Sequence, residues 1–205
     1  MNELQAYTLG FLFGDGNIYP PNYRISIHGV TNDIKQLEHI FYEYLDWRKF
    51  TNNNVHRYNV KSQPATILYK GNKQLCYKLM NEGYYIPRNG ALAINSIPKK
   101  YQFMWVRGLF DADGCLYHYN PNPAKALKQL SITGPRNFDW SFITKKLDYF
   151  KVHNMKTGSQ IRVCSIRNIV KFMDYIYPKG FDNNGLQRKY KVYESMLQAQ
   201  INTNF

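Results

Sequence analysis

A ten-residue segment near the start of the chain, Tyr7-Thr8-Leu9-Gly10-Phe11-Leu12-Phe13-Gly14-Asp15-Gly16, returns as Trp105-Val106-Arg107-Gly108-Leu109-Phe110-Asp111-Ala112-Asp113-Gly114. Self-similarity at so long a period means two copies of one supersecondary unit. Behind each copy runs a stretch that alternates apolar with polar, Tyr23 to His28 and Lys128 to Thr133, and alternation of period two predicts strand. A helical stripe follows each: Ile34, Leu37, Phe41, Tyr44 and Leu45 after a Thr31/Asn32 cap, and Ile143, Leu147 and Phe150 after Asn137/Asp139. Further strands are expected over Val55 to Lys61, Thr66 to Lys70 and Gln160 to Ile166. Short helices are expected over Gln74 to Glu82, stopped by Gly83, and Asn168 to Tyr177, stopped by Pro178. The order αββαββα therefore occurs twice, which makes the expected fold class α+β with two pseudo-symmetric repeats. A basic, Pro-containing stretch at Ser96 to Lys100 separates them, giving repeats 1–100 and 101–205.

The repeated segment is apolar nearly all round up to its last acid, so it predicts a buried helix rather than an amphipathic surface one. Gly10 and Gly14 lie one turn apart, and Gly108 and Ala112 repeat the arrangement. Small residues at that spacing let two backbones approach more closely than Leu or Phe allows, so the two helices are expected to pack on each other. Asp15 and Asp113 then fall at the helix C-termini, each followed by a glycine. A carboxylate there faces the negative end of the macrodipole, at a cost of about 0.3–1 kcal/mol. Two acids brought together in such a place call for a neutralising cation, and carboxylate with water favours magnesium over zinc. Asp111 is different, because its counterpart is Phe13; a structural or solvent-facing role is expected of it. An EF-hand loop through Asp111 and Asp113 fails, since Cys115 stands where an oxygen ligand is required.

Composition narrows the partner. Lys and Arg number 27 against 14 Asp and Glu, a formal charge of +13, while 44% hydrophobic and 16% aromatic residues, 18 of them Tyr, mark a folded chain. No apolar run reaches the roughly 20 residues that cross a bilayer, and the first residues lack the order of a secretory signal, so an intracellular protein without membrane contact is expected. Three cysteines without a C-x-x-C pair encode neither a disulfide framework nor a zinc ribbon, and Cys115 with His118 lacks a second ligand pair. A compact basic protein points first to a nucleic acid.

The nonapeptides Thr8–Gly16 and Val106–Gly114 resemble the LAGLIDADG motif, and the resemblance, in the single-chain two-repeat form of that homing endonuclease family, covers essentially the whole chain. It implies that the motif helices join two halves whose four-stranded sheets form a saddle on duplex DNA. It implies that Asp15 and Asp113 bind the catalytic metals, two or more Mg2+ ions, with Gly14 and Ala112 immediately before them in the metal site. Lys189 resembles the late basic residue that organises water and charge at the scissile phosphate; the alternative for it is a solvated helix terminus. In the first half Asn89 stands where lysine is common, and Arg88 either substitutes or only holds a phosphate. The implied activity is site-specific hydrolysis of both DNA strands across the minor groove by a monomer, on a long pseudo-palindromic or asymmetric target, as in intron homing. Two other roles fit the same fold: an intron RNA maturase, and a sequence-specific DNA-binding protein that has lost cleavage.

Alternation also nominates the readers. Arg24, Ser26 and His28 share one face against Ile25 and Ile27, and Gln129, Ser131 and Thr133 share one against Leu130 and Ile132. A β-ribbon fits the major groove, where Arg reads guanine, Gln or Asn reads adenine, and Ser or Thr adapt to either. Arg57, Asn59 and Lys61 are expected to extend this surface. For any single member an ordinary solvent-facing role is the simpler reading, and the set carries the expectation.

Overall fold

The computed structural model describes residues 1–205 other than 53–55, 58–59, 62, 120–126, 179, 181 and 202–205. The chain forms two compact units, Met1–Ala112 and Asp113–Phe205. In the first, α1 (Glu3–Asp15) is followed by β1 (Gly16–Tyr19), β2 (Arg24–Val30), α2 (Thr31–Tyr42), β3 (Arg48–Asn52), the short paired strands β4 (His56–Arg57) and β5 (Val60–Lys61), then β6 (Ala65–Gly71), α3 (Lys73–Asn81), α4 (Gly90–Asn95) and α5 (Gln102–Asp113). Strands β1, β2, β6 and β3 form an antiparallel sheet in that spatial order. The second unit takes up the last residue of α5 and continues with β7 (Gly114–Tyr119), β8 (Leu127–Gly134), α6 (Ser141–Thr144), β9 (Lys151–Asn154), β10 (Ser159–Val163), α7 (Ile166–Ile176) and α8 (Gln187–Ile201). Its sheet runs β7-β8-β10-β9, the same topology. The α+β class and the doubled αββαββα order are those expected from the sequence. Among the described residues no helix is long and apolar enough to cross a membrane.

Helix α1 starts on a capping box, the Asn2 side chain accepting from the Gln5 amide at 2.9 Å and the Gln5 side chain accepting from the Asn2 amide at 3.0 Å. From Ala6 through Phe13 every residue is buried, and in α5 so is every residue from Met104 through Asp111. Each sheet packs its apolar face inward: Ile25, Ile27 and Leu68 in the first, Leu130, Ile132 and Ile161 in the second, are all fully buried. Each such side chain contributes about 1.5–3 kcal/mol.

Within the first unit α1 and α5 meet backbone to backbone. A Cβ built on Gly10 would collide with the Trp105 carbonyl oxygen, and one on Gly108 with the Tyr7 carbonyl oxygen. Tyr7 and Trp105 open the two copies of the motif, so the notches are reciprocal. Because of this crossing α5 packs with the first compact unit almost to its end. Around the notches the partners differ. The Tyr7 hydroxyl donates to Asp111 Oδ2 at 2.7 Å, whereas the Phe13 and Trp105 rings lie 5.2 Å apart.

Several expectations are corrected. Asp111 is only 1% exposed and serves the helix crossing, which removes the solvent-facing role. Thr31 does not cap α2; the N-cap is Val30, and the Thr31 hydroxyl is paired with that of Thr66 at 3.0 Å. The stripe Ile143, Leu147, Phe150 is buried as expected, but regular helix covers only Ser141–Thr144. Of the strand expected over Val55 to Lys61, His56–Arg57 and Val60–Lys61 form the separate β4–β5 pair, the other residues of the segment lying outside the described ones, and the fourth strand of each sheet is the unforeseen β3 or β9. Both are edge strands with little burial, so neither carries an apolar alternation.

Because overpacking a tight contact costs about 1–3 kcal/mol, Gly10→Ala and Gly108→Ala are each expected to lower stability by at least that much in urea unfolding. Gly71→Ala, where nothing lies within 4 Å of the added carbon, is the neutral comparison.

Candidate catalytic centres and nucleic-acid interface

Asp15 ends α1 and is exposed; the glycines on either side present their carbonyls at the helix terminus. Arg88 comes to them from the segment before α4. Its Nη1 donates to the Gly14 carbonyl at 2.6 Å, its Nη2 donates to the Gly16 carbonyl, and its guanidinium carbon lies 5.9 Å from the centroid of the Phe13 ring. The cation thus sits at the negative end of the α1 dipole. Asn89 instead caps α4, accepting from the Leu92 amide at 3.0 Å. Of these two neighbours, Arg88 is the one brought to the motif.

The second unit repeats the arrangement with lysine. Asp113 ends α5 and is half-buried, and the Lys189 Nζ donates to the Gly114 carbonyl at 2.6 Å. Lys189 is 5% exposed in the first turn of α8, so it is no solvated helix terminus. With Gly114, Cys115 and Arg188 it lines a cavity of about 230 Å³. Gly16 and Gly114 are the matched last residues of the motif, so each carries a carbonyl held by a basic side chain from far along the chain.

The donors fit a hard divalent cation. Each unit offers one carboxylate beside backbone carbonyls, and among the described residues no group of three His, Cys, Asp or Glu could hold a metal alone. One carboxylate completed by water and substrate phosphate is the usual magnesium pattern. The Gly14 carbonyl, one of the expected metal donors, is already engaged by Arg88, and its second lone pair is what remains for an ion. Ala112, its counterpart, is half-buried one residue before Asp113.

The register confirms that Arg24, Ser26 and His28 share one sheet face, as do Gln129, Ser131 and Thr133. Arg24, His28 and Thr133 are exposed, and Gln129 is half-buried. Ser26 and Ser131 are not available as direct readers, at 1% and 4% exposure. Each small side chain lies between larger cross-strand neighbours, Asn17 and Tyr69 or Cys115 and Arg162, and the Ser26 hydroxyl is paired with His28 Nε2 at 3.0 Å. Of the residues expected to extend the surface, Arg57 and Lys61 are described by their backbone pairing alone, and Asn59 lies outside the described residues. The same faces carry residues that the sequence did not nominate. Arg48 and Phe50 of β3 join the first, and Lys151, His153 and Arg162 join the second. Only the cross-strand pairing reveals them.

Burial, then the Arg24 charge, lowers the pKa of His28 below its ordinary 6.5; His153 is lowered by the same cause, then by Arg162 and Lys151. Both imidazoles are therefore neutral at neutral pH, and the two faces hold their positive charge in Arg and Lys.

No family sequence model and no curated protein matches the chain. Solved structures do. The LAGLIDADG meganuclease I-AabMI bound to uncleaved DNA is matched with a TM-score of 0.64 at 10% identity, over 100% of this chain and 92% of that one. I-DmoI in complex with DNA and Ca is matched with a TM-score of 0.61 at 20% identity, over 94% and 97%. The N-terminal LAGLIDADG domain of DUF199/WhiA is matched with a TM-score of 0.57 at 16% identity, over 96% and 86%. The fold of this chain is the LAGLIDADG fold.

A histidine whose folded-state pKa is depressed contributes stability that is present above the unfolded value of 6.5 and is lost as pH falls through the folded value. The urea midpoint is expected to fall as pH is lowered from about 7 to about 5, and to fall less in His28→Gln. An equal fall in both proteins contradicts the assignment.

Proposed function

We propose that the protein is a site-specific, metal-dependent endonuclease that hydrolyses both strands of duplex DNA across the minor groove. The observation that carries this reading is the doubled terminus: an acid ending a glycine-notched helix, followed by a glycine whose carbonyl is held by Arg88 in one unit and Lys189 in the other. Bound Mg2+ would activate water and neutralise charge on the phosphate. Asp15 and Asp113 are the residues proposed to hold it, one centre per strand. Arg88 and Lys189 keep a fixed positive charge beside each centre, Arg88 through a planar fork and Lys189 as a point charge. Their donors hold the glycine carbonyls in place and attract the scissile phosphate.

Binding falls to the polar sheet faces. Arg24, His28, Gln129 and Thr133 are proposed to enter the major groove, with the net charge of +13 supplying the phosphate contacts. The solved relatives bound to DNA, one of them with Ca, support a divalent ion and a duplex as partners. Both motif copies lie in one chain, so a monomer suffices for two cuts.

Selection of cleaved sites from a randomised duplex library in magnesium, with calcium as the non-cutting condition, tests the activity. Asp15→Asn and Asp113→Asn are each expected to abolish double-strand cutting while binding persists; retained cutting in both rejects the assignment. Binding without cutting by the unaltered chain would mean a cleavage-dead DNA-binding protein, and preference for folded intron RNA a maturase. With on the order of 6 to 10 phosphate contacts, affinity should fall about 10³- to 10⁵-fold between 50 and 200 mM salt. A salt-independent complex in a filter-binding series contradicts the proposed interface.

A further inference from the structure

The two sheets have one register and different chemistry. In the first, Ser26 is paired with Tyr69 and Tyr69 with Arg48; in the second, Ser131 is paired with Arg162 and Arg162 with Lys151. One step along the strands, the row His28, Ile67, Phe50 answers the row Thr133, Gln160, His153. At matching positions, the apolar pair Ile67 and Phe50 of the first sheet corresponds to the polar pair Gln160 and His153 of the second.

Phe50 is 56% exposed, on a face that also carries Arg24 and Arg48. An aromatic ring held in water beside a half-buried Ile67 gains only when something apolar covers it, and the flanking guanidiniums select a polyanion. Duplex DNA presents one apolar group to a ribbon in the major groove, the thymine C5-methyl, and Phe is among the side chains that contact it. In the second sheet the Arg162 Nη2 lies 3.4 Å from His153 Nδ1, and both line, with Lys151, an open cavity of about 460 Å³. That space admits the edge of a base, with Arg suited to guanine O6 and N7; Gln160, cross-strand from His153 on the same face, is suited to adenine N6 and N7.

Resting on the proposed DNA-binding function, we propose that Phe50 and Ile67 on the first sheet and Arg162 and Gln160 on the second are the residues that set which bases each sheet takes. The first takes thymine through Phe50 and Ile67, and the second takes purines, guanine at Arg162 and adenine at Gln160.

The test uses the full chain in calcium. Duplexes bound from a randomised library are sequenced, then resynthesised with deoxyuridine for thymine or 7-deazaguanine for guanine, one half at a time. Removing a contacted methyl is expected to weaken binding about fourfold in one half-site only. In Phe50→Ala the unsubstituted and deoxyuridine duplexes should bind alike. Loss of the N7 acceptor should weaken the other half-site, and Arg162→Ala should erase its guanine preference, a loss of roughly 5- to 150-fold on the selected sequence. Phe50 and Arg162 are surface residues, and the base analogues read the contacts without any substitution in the protein. Matching preferences in both half-sites, or binding indifferent to the methyl, overturns this inference and leaves the endonuclease reading standing. Failure of any duplex sequence to enrich overturns both.

Discussion

Two helices can touch backbone to backbone only where neither carries a side chain at the crossing, and Gly10 and Gly108 meet that condition for each other. The contact decides what lies around it. It requires the motif helices to be buried from all sides, which is why they are apolar almost throughout. Past the crossing α1 ends at Asp15 and α5 at Asp113. Carbonyls at a helix end need donors, and the chain supplies them from distant segments, Arg88 for the first motif and Lys189 for the second.

The two units reach one arrangement by unlike means. Arg88 precedes the cap of α4, stacks near Phe13 and spans two carbonyls; Lys189 lies in the first turn of α8, is buried and donates to the Gly114 carbonyl. The same divergence runs through the sheets, where at matching register positions the first has Tyr69 and Ile67 and the second Arg162 and Gln160. A duplicated backbone has kept its geometry at positions where burial enforces it, Ile25 with Leu130 and Ile27 with Ile132, and has let chemistry drift on the open face.

This contrast also explains how much could be read from residues alone. The repeat, the buried motif helices and the inward faces of β2 and β8 were legible, because each is written in the spacing of apolar side chains. Edge strands β3 and β9 were not, since exposure on most sides leaves no pattern to follow. The burial of Ser26 and Ser131 escaped for a related reason: a short side chain disappears beneath its cross-strand neighbours, and those neighbours are known only once the register is known. The place of Asp111 was hidden because its partner, Tyr7, stands at the opposite end of the other motif copy. Arg88 was visible as a basic residue near the right place, but its choice over Asn89 depends on a contact that spans most of the first unit.

The unequal flanks of the helix crossing have one further consequence. By the repeat, Tyr7 matches Trp105 and Phe13 matches Asp111, and across the crossing a phenol meets a carboxylate on one side and two aromatic rings meet on the other. Were α1 to cross a duplicate of itself, that phenol would face benzyl rings and find no acceptor; were α5 to do so, a buried acid would be pressed against indole. The mates are therefore not interchangeable: like a key cut differently on its two edges, the junction accepts only its own opposite, and the ancestral twofold can no longer be restored by exchanging halves.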